Sequence, residues 1–191
     1  LLAVVAGRIS HGLNGRLLTL GLLASNLGDV FLGLDQINLF IEGHSSFLVA
    51  HLFYILLFVR LTPKPLQLSN RQKIFVGLLV IYGLSLSIWL LPVLGTNATP
   101  ALAYAATITF MTATAITVCW KRPWVALGAI LFTLSNSAIA IDRFLIPVDG
   151  ISYFIWPSYY LAQLLIATGT LPLIRRHPPD QRNPLADHKI A

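Results

Sequence analysis

Residues 74–91 read IFVGLLVIYGLSLSIWLL and contain no charged side chain. A helix that crosses the hydrocarbon core of a bilayer needs about 20 predominantly apolar residues, so this stretch is long enough for one crossing. Five further stretches share its length and its apolar character. The complete set is 17–34, 47–62, 74–91, 101–120, 124–141 and 151–174. The sequence therefore predicts an all-α, polytopic transmembrane helical bundle with six complete spans.

The composition of the whole chain agrees with this architecture. Of its 191 residues, 56% are hydrophobic and 10% are charged, and the mean hydropathy is +0.76. A soluble domain carries roughly 25% charged residues because its surface must be solvated. These values exclude a soluble enzyme, a nucleic-acid-binding domain and a disordered regulator. The single cysteine, Cys119, excludes an intramolecular disulfide framework and a cysteine-based metal cage.

Positive charge is concentrated in alternate connections between the predicted spans. Twelve of the thirteen Lys and Arg residues lie in segments 8–16, 60–73 and 121–122 and in the tail that begins at Arg175. By the positive-inside rule, these segments and the C-terminus are expected in the cytoplasm. The net charge of +6 then faces the anionic headgroups of membrane lipids. Short loops without appended domains favour a bacterial inner membrane.

The two ends of the chain differ from the predicted spans. Residues 1–7 are apolar but too few to cross a bilayer, so we expect them to be the end of an earlier span. Residues 177–191 contain three prolines and many polar side chains. The sequence thus predicts a single transmembrane domain at 1–176 and a polar cytoplasmic tail at 177–191.

Asp29 is an acidic side chain inside the first predicted span. An ionisable group in hydrocarbon costs several kcal/mol unless it faces a cavity or a partner, so it marks a candidate functional site. Ser25 and Asn26 precede it by four and three residues and therefore share its helix face. For Ser25 alone, an interhelical hydrogen bond is the favoured interpretation. For the carboxyl group of Asp29, a functional role is favoured.

Other spans also contain polar side chains that are candidates for the same site. His51 lies one turn into its span, and Tyr54 follows three residues later on the same helix face. This pattern is equally consistent with a histidine that packs in the core and with one that has a functional role. The remaining candidates for substrate binding or catalysis are Tyr104, Ser135, Asn136, Asp142, Arg143, Tyr159 and Gln163.

Four of these side chains share one depth in the predicted bundle. Asp29, His51, Tyr104 and Asn136 all lie within roughly 6–8 Å of one plane near the outer ends of their spans, at 1.5 Å of rise per residue. This predicts one polar pocket, open toward the non-cytoplasmic half of the bilayer, which lipid chains reach laterally. No second histidine shares a span with His51, so neither a three-histidine metal site nor a cofactor is expected.

Four motifs that contain these residues follow one another in a characteristic order. They are SNLGDVFL at 25–32, FLVAHLFY at 47–54, GAILFTLSNS at 128–137 and YYLAQLLI at 159–166. In this order they resemble the YhhN-like lysoplasmalogenase family of polytopic membrane proteins, over about residues 17–170. The family has about eight spans, so the resemblance implies that this chain lacks the first and most of the second, in agreement with the short apolar segment 1–7.

The resemblance also implies an activity and its catalytic groups. Members hydrolyse the vinyl ether bond of lysoplasmalogen, a lysophospholipid, to a fatty aldehyde and glycerophosphocholine or glycerophosphoethanolamine. Two membrane aspartates are the implied catalytic groups; Asp29 matches the first, whereas Asn136 occupies the second position. Asp142 lies six residues later, about 240° around the helix, and does not replace it. Either Asn136 positions water while Asp29 alone supplies the proton, or the activity is weak or altered.

This chemistry gives each candidate residue an expected role. A vinyl ether hydrolyses through protonation of its β-carbon, which requires a carboxylic acid that still holds its proton; shielding a carboxyl group from water favours that form. We expect Asp29 to be this acid, with His51, Tyr54 and Asn136 orienting water or the leaving oxygen. Gln163 or Tyr159 would contact the glycerophosphate.

Two other functions were compared with this hydrolase. A non-catalytic lipid-binding or transport protein would use the same pocket, and the amide at position 136 is consistent with it. A zinc-dependent membrane amidase conflicts with the scattered histidines.

Overall fold

The structure is a computed structural model that describes residues 12–34, 38–118 and 123–176. Six α-helices account for most of these residues. They are α1 (Leu13–Leu34), α2 (Phe40–Leu61), α3 (Asn70–Leu94), α4 (Ala98–Val118), α5 (Trp124–Phe144) and α6 (Ser152–Arg176), with a short 3-10 helix (Gly95–Asn97) between α3 and α4. No strand occurs in the three described ranges, so the predicted all-α class is confirmed. The incomplete span predicted at 1–7 and the tail predicted at 177–191 lie outside the described residues.

Four helical stretches are long and apolar enough to cross a membrane. They are Leu13–Leu34, Phe40–Leu61, Asn70–Val118 and Trp124–Phe144. The third is 49 residues long and contains both α3 and α4, which pack against each other on either side of Gly95. Helix α6 contains Pro157 and Pro172 and is not among the four. These stretches make the chain an integral membrane protein, but the prediction of six complete spans is not confirmed by them.

Local sequence explains where α3 begins and ends. Ser69 caps its first turn: the Gln72 backbone N–H donates to Ser69 Oγ at 3.3 Å, and the Ser69 backbone N–H donates to Gln72 Oε1 at 3.0 Å. The side chain of each residue thus accepts a hydrogen bond from the backbone N–H of the other, which satisfies two donors at the start of the helix. Gly95 ends the helix with φ of 51°, a left-handed conformation in which a Cβ atom would be strained. This break lets α4 return along α3.

The helices are arranged so that polar residues from both ends of the chain meet. Helix α1 packs on α2, α5 packs on α6, and α4 lies against α2, α3 and α5. A contact between α1 and α6 joins the first and last helices of the described chain. Side-chain hydrogen bonds connect the central helices, among them Thr112 Oγ1 to Thr133 Oγ1 at 2.7 Å and Gln72 Nε2 to the Ile116 carbonyl oxygen at 2.9 Å.

Helices α5 and α6 approach each other closely at Gly128. A Cβ atom built there would lie 2.9 Å from the Ala162 carbonyl oxygen and 2.9 Å from Leu165 Cβ. The missing side chain therefore lets the two backbones touch, which is a common device between helices in membranes. This contact fixes α6, and with it Tyr159 and Gln163, against the rest of the bundle.

Candidate functional site

Asp29 lies near the end of α1 and is only partly buried. Its Oδ2 atom accepts a hydrogen bond of 3.1 Å from the Tyr159 hydroxyl on α6. Its Oδ1 atom is shielded and has no hydrogen-bond partner among the described residues. One carboxyl oxygen is thus anchored by the protein, whereas the other is buried without a hydrogen bond from the described part of the chain.

A chain of hydrogen bonds leads to Asp29 from the interior of the bundle. The Tyr54 hydroxyl on α2 donates to Gln163 Oε1 at 2.7 Å. Gln163 Nε2 in turn donates to the Tyr159 oxygen at 3.3 Å, and the Tyr159 hydroxyl donates to Asp29. Tyr54 is fully buried, and Gly21 of α1 makes room for its ring, since a Cβ atom at Gly21 would lie 2.6 Å from Tyr54 Cε1. Three helices therefore hold the carboxyl group in one orientation.

Asn136 forms a second polar pair with Tyr104. The Tyr104 hydroxyl on α4 donates to Asn136 Oδ1 at 2.6 Å, and Asn136 Nδ2 donates to the Phe132 carbonyl oxygen at 3.0 Å. Both ends of the amide are thereby engaged, so its orientation is fixed. A carboxylate at position 136 would accept the Tyr104 bond but would have no proton to donate to the Phe132 carbonyl.

A polar cavity of about 250 Å³ joins Asp29 to Asn136. Tyr159 and Phe47 also line it, and the residues at its outer end belong to the connection between α5 and α6. That connection contributes Asp149, whereas Asp142 lies in the last turn of α5 and Trp156 near the start of α6. An acid and an amide, Asp29 and Asn136, thus line one cavity, an arrangement that allows proton transfer to a bound molecule.

A second, mainly apolar cavity of about 360 Å³ lies on the other side of Asn136. Helices α2, α3, α4 and α5 surround it, and it shares Phe40 and Asn136 with the polar cavity. Tyr104 and Arg143 also lie on its wall, and the Arg143 guanidinium is 5.1 Å from the centre of the Phe40 ring. The predicted pocket is therefore two adjoining cavities with different linings.

His51 is brought beside the predicted partners but lines neither cavity. It is fully buried, and its ring packs edge-on against Tyr104 and Phe132, with centroid distances of 5.2 and 5.1 Å. Neither ring nitrogen has a hydrogen-bond partner within the three described ranges. In the structure His51 therefore contacts the Tyr104 and Phe132 rings and does not reach the surface of either cavity.

The structure does not bring every predicted binding residue to the cavities. Asn26 is exposed and lines neither of them, although it precedes Asp29 by one helical turn. Ser135 points to α6 instead, where its hydroxyl donates to the Ile155 carbonyl oxygen at 2.9 Å. Ser25 is buried against α6, and the Tyr159 hydroxyl lies 3.5 Å from its carbonyl oxygen. Asp142 borders the polar cavity, but its Oδ1 atom accepts the Val148 backbone N–H at 2.9 Å.

The N-terminal turns of α2 were missed by the sequence prediction, which placed the start of this span at residue 47. Phe40 and His44 lie on these turns, and both line the apolar cavity. The His44 ring nitrogen Nδ1 is 2.9 Å from the Phe40 carbonyl oxygen. Glu42 and the three polar residues that follow Gly43 lower the local hydropathy, so these first turns do not resemble part of a membrane span. The regular spacing of Phe40, His44 and Phe47 at three and four residues was the available signal.

Metal ions in proteins are held by clustered His, Cys, Asp and Glu side chains. Among residues 12–34, 38–118 and 123–176, no group of three or more of these side chains is close enough to hold an ion.

Together, the fold and the site define a polytopic helical membrane protein with an intramembrane acid beside an apolar cavity. The profile of the YhhN family matches residues 1–170 of the chain, so the protein belongs to the YhhN family. The lysoplasmalogenase of Mycobacterium bovis is 31% identical over 171 residues, which cover 87% of this chain and 65% of the relative. The bovine lysoplasmalogenase TMEM86A is 30% identical over 206 residues, covering 96% of this chain and 76% of the relative.

The human lysoplasmalogenase TMEM86A is 31% identical over 156 residues, covering 77% of this chain and 62% of the relative. This chain therefore spans only about two thirds of the length of some curated relatives, 65% for the Mycobacterium bovis protein. No solved structure matches the chain.

Proposed function

We propose that this protein hydrolyses the vinyl ether bond of lysoplasmalogen, releasing a fatty aldehyde and glycerophosphocholine or glycerophosphoethanolamine. The observation that carries the proposal is the Asp29 carboxyl group, which lines the polar cavity and has one oxygen anchored and the other without a hydrogen bond from the described residues. Family membership and three relatives that bear the name lysoplasmalogenase support the same reaction.

The reaction needs one proton donor and one water molecule. Asp29 transfers its proton to the β-carbon of the vinyl ether, and the resulting oxocarbenium ion is stabilised by the carboxylate that remains. Water then adds to the α-carbon and returns a proton to Asp29, which leaves a hemiacetal. The hemiacetal breaks its bond to the glycerol oxygen, and that oxygen takes up the hydroxyl proton as the aldehyde forms. The sum is one vinyl ether and one water converted to one aldehyde and one alcohol.

Tyr159 and Asn136 have complementary roles in this proposal. By donating to Oδ2, the Tyr159 hydroxyl fixes the orientation of the carboxyl group and leaves Oδ1 as the oxygen that carries the proton. Asn136 faces the same cavity and supplies an amide that can orient the water, a role that needs no second acid. His51 supports Tyr104 and Phe132 by packing, and so acts on the site through them.

The decisive experiment measures turnover by the purified protein. Lysoplasmalogen incubated with the protein in detergent or liposomes should yield free aldehyde and glycerophospho-alcohol in equal amounts. The matched control substrate is a saturated alkyl ether lysophospholipid of the same chain length, which has no double bond to protonate and should remain intact. If lysoplasmalogen is bound but never cleaved, the protein is a lipid binder or carrier. The amide at position 136, where the family resemblance implies an aspartate, is the observation that favours that alternative.

Replacing Tyr159 with Phe tests whether the anchored oxygen matters. The Tyr159→Phe variant keeps the ring that packs on Phe47 and Phe132 but removes the hydrogen bonds to Asp29 and Gln163. We expect kcat for aldehyde release to fall by about tenfold or more, since one lost hydrogen bond to a charged or reacting group costs about 1.5–3 kcal/mol. Tyr160→Phe is the control, because the neighbouring ring is exposed and lines neither cavity. Equal activity in the Tyr159 variant and its control would contradict this role.

We further propose six membrane crossings with the C-terminus in the cytoplasm of a bacterium, as the distribution of positive charge indicates. The exposed positions Gln67 and Thr96 lie in connections on opposite sides under this topology. In a Cys119→Ser background, Thr96→Cys should react with a membrane-impermeant maleimide added to intact cells, whereas Gln67→Cys should react only after lysis. Labelling of both positions in intact cells would exclude this topology.

A further inference from the structure

The apolar cavity between α2, α3, α4 and α5 has no role in the acid chemistry proposed above. Its volume of about 360 Å³ falls within the range of small-molecule sites, roughly 300–1,000 Å³. Most of the surface of its wall is apolar, with contributions from Ile41 and Leu48 on α2, Leu86 and Leu90 on α3, and Ile108 on α4, and polar side chains such as His44 and Arg143 line the remainder. A mainly apolar surface of this kind suits a hydrocarbon ligand.

The position of this cavity relative to Asp29 is the second observation. Phe40 and Asn136 line both cavities and form the boundary between them, and the Tyr104–Asn136 hydrogen bond lies at that boundary. A molecule that crosses the boundary would have one part among aliphatic side chains and another part beside Asp29. A lysoplasmalogen has this division, because its vinyl ether joins a hydrocarbon chain to a polar glycerophosphate.

Helix α3 gives the cavity a wall that faces lipid. Of its 25 residues, only Gln72, Leu90 and Leu94 are buried. Aliphatic residues on its outer face, such as Leu84 and Ile88, are exposed. A hydrocarbon chain that reached the cavity along this face of α3 would stay out of contact with water, which lowers the free-energy cost of its transfer from lipid to protein.

We infer that the apolar cavity holds the hydrocarbon chain of the substrate, and that its walls on α3 and α4 determine the preferred chain length. This inference rests on the proposed lysoplasmalogenase activity. The vinyl ether then lies at the boundary formed by Phe40 and Asn136, and the glycerophosphate occupies the polar cavity with Asp29. Chain selection and proton transfer are thus assigned to different helices of the bundle.

Two adjacent alanines on α4 provide a matched test. Ala105 lines the apolar cavity, whereas Ala106 is exposed and lines neither cavity. Ala105→Phe should shorten the space for the chain, so kcat/KM for long-chain lysoplasmalogens should fall relative to short-chain ones. We expect a change of about tenfold or more in that ratio, since adding or removing one methylene in an apolar pocket changes discrimination by roughly 10–200-fold. Ala106→Phe should leave the ratio unchanged.

A second pair on α3 covers the case in which the first variant does not fold. Ser87 lines the cavity from the opposite wall, and Ser85 is exposed and lines neither cavity. Ser87→Phe should shift the chain-length preference in the same direction as Ala105→Phe, and Ser85→Phe should not. If both cavity variants fold and retain the wild-type preference, the inference is wrong.

Photolabelling separates this inference from the proposed activity, because it requires no turnover. A saturated alkyl ether lysophosphatidylcholine with a diazirine at the chain end should label peptides that contain Leu86, Leu90 or Ile108. Ser87→Phe should reduce this labelling, whereas Ser85→Phe should not. If these peptides are labelled but the protein cleaves no lysoplasmalogen, the proposed activity is wrong and the apolar cavity is still a binding site for the hydrocarbon chain. Labelling confined to outward-facing residues would overturn the chain site, whether or not lysoplasmalogen is cleaved.

Discussion

Asp29→Asn is expected to reduce aldehyde release from lysoplasmalogen by about 10²–10⁴-fold, the range that general acid–base catalysis contributes. The amide has nearly the shape of the carboxyl group and can still accept the hydrogen bond from Tyr159, so the packing around α1 and α6 should be preserved. It has no acidic proton to give to the vinyl ether. The measurement is kcat for aldehyde formation, together with the thermal stability of the detergent-solubilised variant.

The control for this variant is another carboxyl group at the same cavity. Asp149 lines the polar cavity but is exposed, on the connection before α6. If the cavity requires only negative charge, then Asp149→Asn and Asp29→Asn should reduce activity alike. We expect the Asp149 variant to keep most of its activity. An Asp29→Asn protein that folds and turns over at the wild-type rate would remove Asp29 from the mechanism.

Gly128→Leu is expected to have the largest effect on folding. The new side chain would have to enter the space where the Ala162 carbonyl oxygen is already 2.9 Å from the Cβ position. A backbone atom cannot move aside as the end of a flexible side chain can, so α5 and α6 would separate. We expect a loss of about 3 kcal/mol or more, at or above the upper end of the usual cost of overpacking. Thermal unfolding in detergent, followed by size-exclusion chromatography, measures it.

The same substitution at Gly77 is the matched control. Gly77 lies inside α3, and a Cβ atom there would meet nothing within 4 Å. Gly77→Leu should therefore be neutral or slightly stabilising, since leucine favours helix more than glycine does by somewhat less than 1 kcal/mol. Equal thermal stability of the Gly77 and Gly128 variants would mean that the close approach of α5 and α6 does not support the fold.

Hydropathy alone located the helices of this protein well. Each predicted span overlaps one helix, because a run of apolar residues in lipid must satisfy its backbone hydrogen bonds within the helix itself. The predicted start of α2 at residue 47 was late, since the polar residues around Glu42 belong to the helix but lower its local hydropathy. Helix α6 shows the opposite limit: it contains polar residues such as Tyr159 and Gln163 and is not among the four stretches that are long and apolar enough to cross a membrane.

The sequence predicts which site residues share one level along the spans, but not which side chains the rotation of each helix turns toward a cavity. Counting residues along the spans placed Asp29, His51, Tyr104 and Asn136 at one level, and the structure does bring these four residues into one region. Whether a side chain faces a cavity depends on the angle of its helix, which is set by contacts such as the one at Gly128. For that reason sequence reasoning could not distinguish Asn136, which lines both cavities, from Ser135, whose hydroxyl bonds to α6.

The hydrogen bonds from Tyr54 through Gln163 and Tyr159 to Asp29 all point the same way, with the carboxyl group as the last acceptor. An amide link such as Gln163 transmits orientation but does not hand protons along, because it has no readily exchangeable acidic hydrogen to spare at neutral pH. These hydrogen bonds therefore hold the Asp29 carboxyl group in place and do not form a path for proton transfer. In the proposed reaction, the proton that restores the Asp29 acid must therefore arrive through the polar cavity, so the access of water to that cavity would set how soon the next lipid can react.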